Sequence, residues 1–307
     1  VEQPVEELET AVRYEIIGPS IRQARVSVGI STYNGAQRVA NLLQSMRRVG
    51  GAVAGTEITL LDDGSSRGDQ IGILASLAIE HHTNLIRHRT NEGITKSWND
   101  LVRFVDSEFC VLLNDDLFLL PNWLSHLIYF LENNECGAAA WNTLFCNDSD
   151  VPQLLAGQPV TPREPQSRNP DPSRAHQDND EPPGVVMCAL GCGFGFRRSV
   201  FDRLGGFDER TQQIYNESWF GTKAARDLKL PSYQIPSPRV WHLWSATFKE
   251  NPELHHKMSG DRAAYEAEFG GNFDVTHPRF MVGTMPPRIV KWIGPDGQPR
   301  ERELTVQ

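Results

Sequence analysis

The sequence predicts an α/β protein with a mostly parallel sheet flanked by helices, and three observations lead there. From Val26 onward, apolar runs of strand length alternate with stretches whose apolar residues recur every three or four positions. Polar clusters follow directly on three of the apolar runs, at Ser31-Thr32-Tyr33-Asn34, Asp62-Asp63-Gly64 and Asn114-Asp115-Asp116. Open α/β sheets bind ligands at such strand ends. The 307 residues, 39% hydrophobic and 22% charged, are enough to bury the core of one large domain with appendages.

Element by element, Val26 to Ile30 reads as the first strand of this pattern. Val39, Leu42, Leu43, Met46 and Val49 then share one helical face, and Glu57 to Leu61 form a second strand. Ile71, Leu74, Ala75, Ala78 and Ile79 mark a helix, and Leu85 to His88 a short strand. Trp98, Leu101, Val102 and Val105 line the next helix, and Phe109 to Leu113 is the strand that delivers Asn114-Asp115-Asp116. From about Asp148 to Pro183 the chain is rich in Pro, Asp, Asn, Ser and Arg without sustained periodicity, the texture of a long loop or insertion. Apolar order returns at Val185 to Leu190, followed by a Gly-rich turn and helices expected at Ser199 to Leu204 and Glu217 to Leu228. Short strands are expected from Tyr233 and Arg239, and a helix around Arg262 to Phe269 within a tail otherwise read as Pro- and Gly-rich coil. This divides the chain into an N-terminal extension (1–25), a main domain (26–250) and a C-terminal extension (251–307). The main domain comprises a first half (26–147), an insertion (148–183) and a second half (184–250).

A net charge of -9 and a pI near 5.5 lack the electrostatic footprint of a general nucleic-acid binder. The apolar stretch Leu117 to Leu131 is broken by Pro121, Asn122 and His126, too short and polar to span a bilayer. The acidic N-terminal stretch lacks the features of a secretory leader, so a soluble, cytoplasmic protein is expected. Five cysteines without a CxxC pair argue against a disulfide framework or structural zinc and for reduced, buried side chains.

The adjacent carboxylates Asp115 and Asp116 at a strand end repel one another, a penalty that a bound divalent cation offsets. Magnesium and manganese favour such oxygen ligands and complete their shells with substrate phosphates. Taken alone, the pair is explained as well by a solvated turn or a helix cap. Asp62-Asp63 ends a strand in LLDDGSS, where one carboxylate can accept a hydrogen bond from a base or ribose while the other caps the following helix. Tyr33 offers a ring for stacking and Ser31 a hydroxyl beside a helix start, although ordinary packing accounts for Tyr33 equally well.

Three segments in order, VSVGISTYNGAQRVANLLQSM, EITLLDDGSS and RTNEGITKSWNDLVRFVDSEFCVLLNDDLFLLPNWL, resemble the GT-A glycosyltransferases and, within them, family 2. The resemblance implies a GT-A, Rossmann-like fold. It places Ser31 and Tyr33 in the nucleotide site, Asp62 on the base and Asn91 with Gly93 in a turn near the donor. Asp115 is implied at the donor's ribose or sugar and Asp116 as metal ligand, with Asn114 departing from the usual first Asp. Further on, GCGFGFRRSVFDRLGGFDE and Asn216-Glu217-Ser218-Trp219 match more loosely, with Ser218 in place of the family's Asp. On that alignment Glu217 takes the position of the catalytic base, and a Glu complementing a helix dipole is the alternative. His242 falls where many GT-A enzymes carry a histidine that completes the metal shell or touches the pyrophosphate, while Trp241 and Trp244 offer apolar faces for a sugar or simply pack.

The resemblance therefore implies an enzyme of hexosyltransferase type with Mn2+ or Mg2+ as cofactor. It would move a sugar from a nucleotide diphosphate, a UDP-sugar first among candidates, to an unidentified acceptor hydroxyl on a glycan, protein or small molecule, with inversion. Acceptor selection would fall to the insertion and the C-terminal tail. The alternatives are a non-catalytic module of the same fold, kept open by Asn114 and Ser218, and a nucleotidyltransferase. The latter is disfavoured because the first turn, STYNGAQR, holds a single glycine.

Overall fold

The structure is a computed structural model, and it describes residues 14–17, 23–50, 53–162, 182–186, 192–243, 246–269 and 287–304. In chain order the first half runs β1 (Tyr14–Ile17), β2 (Gln23–Thr32), α1 (Ala36–Val49), β3 (Thr56–Asp62), α2 (Gln70–Glu80), β4 (Asn84–His88), α3 (Ile94–Phe104) and β5 (Asp106–Asn114). It continues through β6 (Leu117–Phe118), α4 (Trp123–Asn133), β7 (Ala139–Cys146) and α5 (Val151–Leu155). The second half comprises β8 (Gly184–Val186), β9 (Gly193–Arg197), α6 (Arg198–Leu204), α7 (Asn216–Leu228), β10 (Ser232–Leu243), α8 (Ala246–Glu250), α9 (His255–Phe269), β11 (Arg288–Ile293) and β12 (Pro299–Leu304).

The sheet order is β1-β4-β3-β2-β5-β9-β7-β10-β6, with β8 pairing β10. Strands β4, β3, β2 and β5 run parallel, as do β7 and β10, while β9 is antiparallel between β5 and β7. The parallel register carries the functional consequence. Ser31 lies opposite Asn114, Thr32 opposite Asp62, and Asp62 opposite Arg87, so the polar ends of neighbouring strands share one rim. Two-residue β6, directly after Asp116, pairs antiparallel with β10 and sets Leu117 opposite His242. That pairing brings residues more than a hundred positions apart to the same rim.

Helical periodicity places the core as expected on α1, where Val39, Leu42 and Leu43 are buried and Met46 and Val49 pack against them. The α3 face Trp98, Leu101, Val102 with Val105 is buried as well. Burying each such side chain contributes roughly 1.5 to 3 kcal/mol. On α2 the face is narrower than expected: Leu74 and Ala78 are buried, but Ile79, in the last turn before the helix ends at Glu80, is 72% exposed. The apolar stretch that begins at Leu117 holds α4, which turns Trp123, Leu127, Phe130 and Leu131 into the core. No helix among the described residues is long and apolar enough to cross a membrane.

Several elements differ from the sequence expectation. The two short strands expected from Tyr233 and Arg239 are one strand, β10, whose register shifts between Ile235 and Val240. The start of the Pro-rich region carries α5, and 163–181 lie outside the described residues. The C-terminal helix starts seven residues earlier than expected, at His255 rather than Arg262. The supposed coil after it contains the hairpin β11-β12, whose Val290 and Trp292 are buried in the main core. Val290 and Trp292 alternate with Ile289, Lys291 and Ile293, so the strand carries apolar residues on both faces and shows no clean two-residue period in the sequence. Cys110, Cys136 and Cys192 are free and buried, Cys146 is buried, and burial pushes the thiols of Cys136 and Cys192 up to about 12. Cys188, Gly191 and Trp244 lie outside the described residues.

Candidate active site

The strand ends converge on a cavity of about 300 Å³ lined by, among others, Ser31, Tyr33, Asp63, Asn91, Trp98 and Asn114. Asp115, Asp116, Cys192, Asn216, Glu217 and His242 complete its polar wall. Ligand cavities of this size with a few convergent polar groups are the usual form of small-molecule sites.

One wall is fixed by Asp115. Its carboxylate is 3% exposed and accepts from Arg38 Nε at 3.0 Å and Nη2 at 3.1 Å, and from Thr32 Oγ1 at 2.6 Å. Arg38 also pairs with Glu250, which ties α8 to the rim. Burial pushes the Asp115 carboxyl upward against the pull of Arg38. Burial also disfavours the Arg38 charge, yet Asp115 outweighs it and raises Arg38 above its ordinary value. A bidentate guanidinium is the partner that lets a carboxylate remain charged in such a place. Gly35, between β2 and α1, makes room for this pairing: a Cβ there would overlap Asp115 Oδ2 and Arg38 Nη2.

Asp116 faces His242, with Oδ1 3.1 Å from Nε2. The carboxylate is 5% exposed, and its Oδ1 accepts no hydrogen bond of normal geometry from the described residues. Oδ1 of Asn114 and Oγ of Ser31 are likewise buried without a hydrogen-bond partner among the described residues. Three oxygen-bearing side chains with unused acceptor capacity and one imidazole thus meet at the rim. Desolvated oxygens of this kind carry a penalty unless something binds them. No group of three His, Cys, Asp or Glu side chains suited to a metal occurs among the described residues. A hard cation held by one carboxylate and one imidazole would take its remaining ligands from substrate oxygens and water.

The second acidic pair divides between the cavity and the strand behind it. Asp62, expected at the base, is 0% exposed; its Oδ1 accepts from Ser65 N–H at 3.0 Å and its Oδ2 lies 3.1 Å from Arg87 Nε. Asp63 is the one that lines the cavity. Its Oδ1 accepts from Glu92 N–H at 2.8 Å and its Oδ2 from Gly93 N–H and Asn91 Nδ2, both at 2.9 Å. Asn91 and Gly93 flank the turn beside the cavity, Asn91 as wall and Gly93, with φ 94°, as the start of α3. Gly64, with φ 71°, presses against the backbone of Thr90 and Asn91, a close approach that excludes a side chain.

Behind Asp63 stands His88, 3% exposed, with Nδ1 2.8 Å from Asp63 Oδ1 and Nε2 3.0 Å from Asp100 Oδ2. Burial disfavours its charge, but the hydrogen bonds to Asp100 and Asp63 prevail and raise its pKa to about 9. Lys96 Nζ closes the chain on Asp100 at 2.6 Å. Sequence reasoning missed Arg38, Thr32 and His88. Arg38 had at most a weak signal, since it stands one position from Val39 and four from Leu42, on the edge of the buried α1 face. His88 had none, because its partners lie 25 and 12 residues away.

Glu217 occupies the first turn of α7, half-buried in the cavity wall, and Tyr215 before it has φ 63°. The cavity thus brings together Ser31, Tyr33, Asn91, Asp115, Asp116, Glu217 and His242, and leaves Asp62 outside.

A sheet whose strand ends gather nucleotide-sized space, an acidic pair and a strand-end histidine defines the GT-A class of α/β folds. Residues 27–205, more than half of the chain, match the family model described as "Glycosyl transferase family 2", and the chain belongs to that family. No curated protein matches the chain significantly. Among solved structures, the mannosyltransferase PcManGT from Pyrobaculum calidifontis in complex with GDP-Man and Mn2+ is similar with TM-score 0.56 and 15% identity, over 90% of this chain and 74% of that one. GalNAc-T7 with UDP, GalNAc and Mn2+ is similar with TM-score 0.55 and 16% identity, over 72% of this chain and 44% of that one. TarS from S. aureus gives TM-score 0.54 and 15% identity, over 82% and 41%. The chain thus spans less than half the length of GalNAc-T7 and TarS. At these identities the likeness is one of fold.

Proposed function

We propose that the protein transfers a sugar from a nucleotide diphosphate to an acceptor hydroxyl, with a divalent cation at Asp116 and His242 and Glu217 as general base. The observation that carries this reading is the meeting, in one cavity, of the Asp116-His242 pair, the unpartnered oxygens of Asn114 and Ser31, and Glu217. The family assignment and the nucleotide or sugar nucleotide named for the similar structures support it.

In this reading the wall formed by Tyr33, Asp63, Asn91 and Trp98 receives the nucleoside. Asp63 acts chiefly by fixing the Asn91–Gly93 turn, because its oxygens already accept from that turn and from His88. Asp115, held by Arg38 and Thr32, is a rigid donor contact. Asp116 and His242 would hold Mn2+ or Mg2+, with the oxygen of Asn114 beside them; when bound, the metal neutralises charge on the diphosphate. Glu217 accepts the acceptor hydroxyl's proton as that oxygen attacks, and attack from the face opposite the diphosphate inverts the anomeric centre. The free, buried Cys110, Cys136 and Cys192 agree with a reducing, cytoplasmic setting.

Calorimetric titration with UDP and GDP, with and without Mn2+, tests the donor half. The wild-type chain is expected to bind one of them more tightly with the metal, and Asp116→Ala to lose that metal-dependent increment. An unchanged increment in the variant removes Asp116 from the metal site. Metal-dependent binding with no turnover of any nucleotide sugar would instead mark a binding module.

A further inference from the structure

The C-terminal helix α9 lies beyond the family-matched segment, yet one of its side chains reaches the cavity wall. Asp261 is 2% exposed, and its carboxylate accepts three consecutive backbone N–H groups: Gln212 at 2.8 Å, Gln213 at 2.6 Å and Ile214 at 2.8 Å. Successive amide dipoles converging on one carboxylate form a charge-assisted anchor stronger than neutral hydrogen bonds. The turn it holds matters because Gln213 and Ile214 line the cavity and lead, through the left-handed Tyr215, into Asn216 and Glu217. The helix adds a second tie four residues on, where Tyr265 hydroxyl meets Thr222 Oγ1 of α7 at 2.8 Å and its ring stacks on Tyr215 at 5.5 Å.

The positioned turn has its own chemistry. Asn216, 2% exposed, accepts from Glu217 N–H through its Oδ1 at 2.9 Å, which fixes the amide's orientation. Its Nδ2 has no hydrogen-bond partner among the described residues. Cys192, Asp116 and Glu217 line the same cavity. In the glycosyltransferase reading, a transferred sugar attached to the diphosphate and approached by the acceptor sits in this cavity with Asp116 on the diphosphate side and Glu217 on the acceptor side.

We propose that Asp261 is a positioning residue for sugar transfer: it holds the 212–214 turn so that Gln213, Asn216 and Glu217 form the sugar-side wall of the cavity. This rests on the glycosyltransferase reading. A carboxylate is required because each of its two oxygens serves this turn, whereas Asn offers one acceptor oxygen and turns its NH2 toward an N–H donor. Removing the anchor would let the wall relax by a fraction of an ångström or more, displacements that cost ten- to a hundredfold in rate.

Asp261→Asn and Asp261→Ala in the full chain test it, with three readouts: the stoichiometry and Kd of UDP or GDP with Mn2+, and kcat for release of that nucleotide from its sugar nucleotides. Nucleotide stoichiometry counts folded sites, so kcat per site separates mispositioning from loss of folded protein. The expected result is nucleotide affinity within about threefold of wild type and kcat per site reduced at least tenfold in the Ala variant, with Asn intermediate. Wild-type kcat per site in both variants overturns the proposal. So does loss of nucleotide binding in both, which would make Asp261 scaffold only. A wild-type chain that binds no nucleotide or releases none from any sugar nucleotide refutes the underlying transferase reading instead.

Discussion

His88 gives the fold a pH dependence that can be worked out from its surroundings. Both ring nitrogens lie against carboxylate oxygens, 2.8 Å from Asp63 and 3.0 Å from Asp100, so both must carry protons to be satisfied. Its pKa is raised to about 9 in the folded chain, against 6.5 for an ordinary histidine. Because the folded value exceeds the unfolded one, the stabilisation is fully present below pH 6.5 and is lost as pH rises through 9. A difference of this size corresponds to about 3 kcal/mol. Urea denaturation of the wild type and His88→Gln at pH 6 and pH 9.5 reads it directly. The wild type should lose about 3 kcal/mol more than the variant between the two pH values. Equal losses would refute the buried imidazolium. The same titration should loosen Asp63 and its Asn91–Gly93 turn, so nucleotide affinity is expected to weaken over the same pH range in the wild type only.

Two further substitutions probe the opposite walls. Gly35→Ala should cost about 2 kcal/mol or more in thermal or urea unfolding, since its methyl can fit only by breaking the buried Arg38-Asp115 pairing and its Thr32 support. An unaffected midpoint would mean the pairing is dispensable. Glu217→Gln should keep nucleotide affinity while lowering transfer at least a hundredfold at saturating donor, the range expected for loss of a general base; unchanged turnover would remove Glu217 from that role.

The fold was legible because its parallel half repeats one pattern: an apolar run, polar residues at its end, then a helix with a single apolar face, as from Val26 to Leu43 and from Phe109 to Leu131. Of the residues lining the candidate cavity, those at strand ends, Ser31, Tyr33, Asp115 and Asp116, were the ones a sequence pattern could single out. What the sequence hid was the direction of side chains at those ends. Asp62 and Asp63 are adjacent and chemically identical, and only the β3-β4 register, which sets Asp62 opposite Arg87, turns Asp62 away from the cavity. His242 joins Asp116 through a two-residue strand, too short to carry a periodic signal. Asp261 acts from a helix with weak amphipathicity, and its partners are backbone amides, which any sequence would supply. The hairpin at 288–304 shows the same limit, since only tertiary burial of Val290 and Trp292 explains it.

The central claim is that this cavity turns over a nucleotide sugar. Its most direct test is to incubate the wild-type chain with UDP- and GDP-linked hexoses and N-acetylhexosamines and to measure nucleotide released, with Mn2+ and with chelator. The account expects at least one donor to release its nucleotide in a metal-dependent reaction that Asp116→Ala abolishes. Release from none of them, by a chain that binds the free nucleotides, would contradict it.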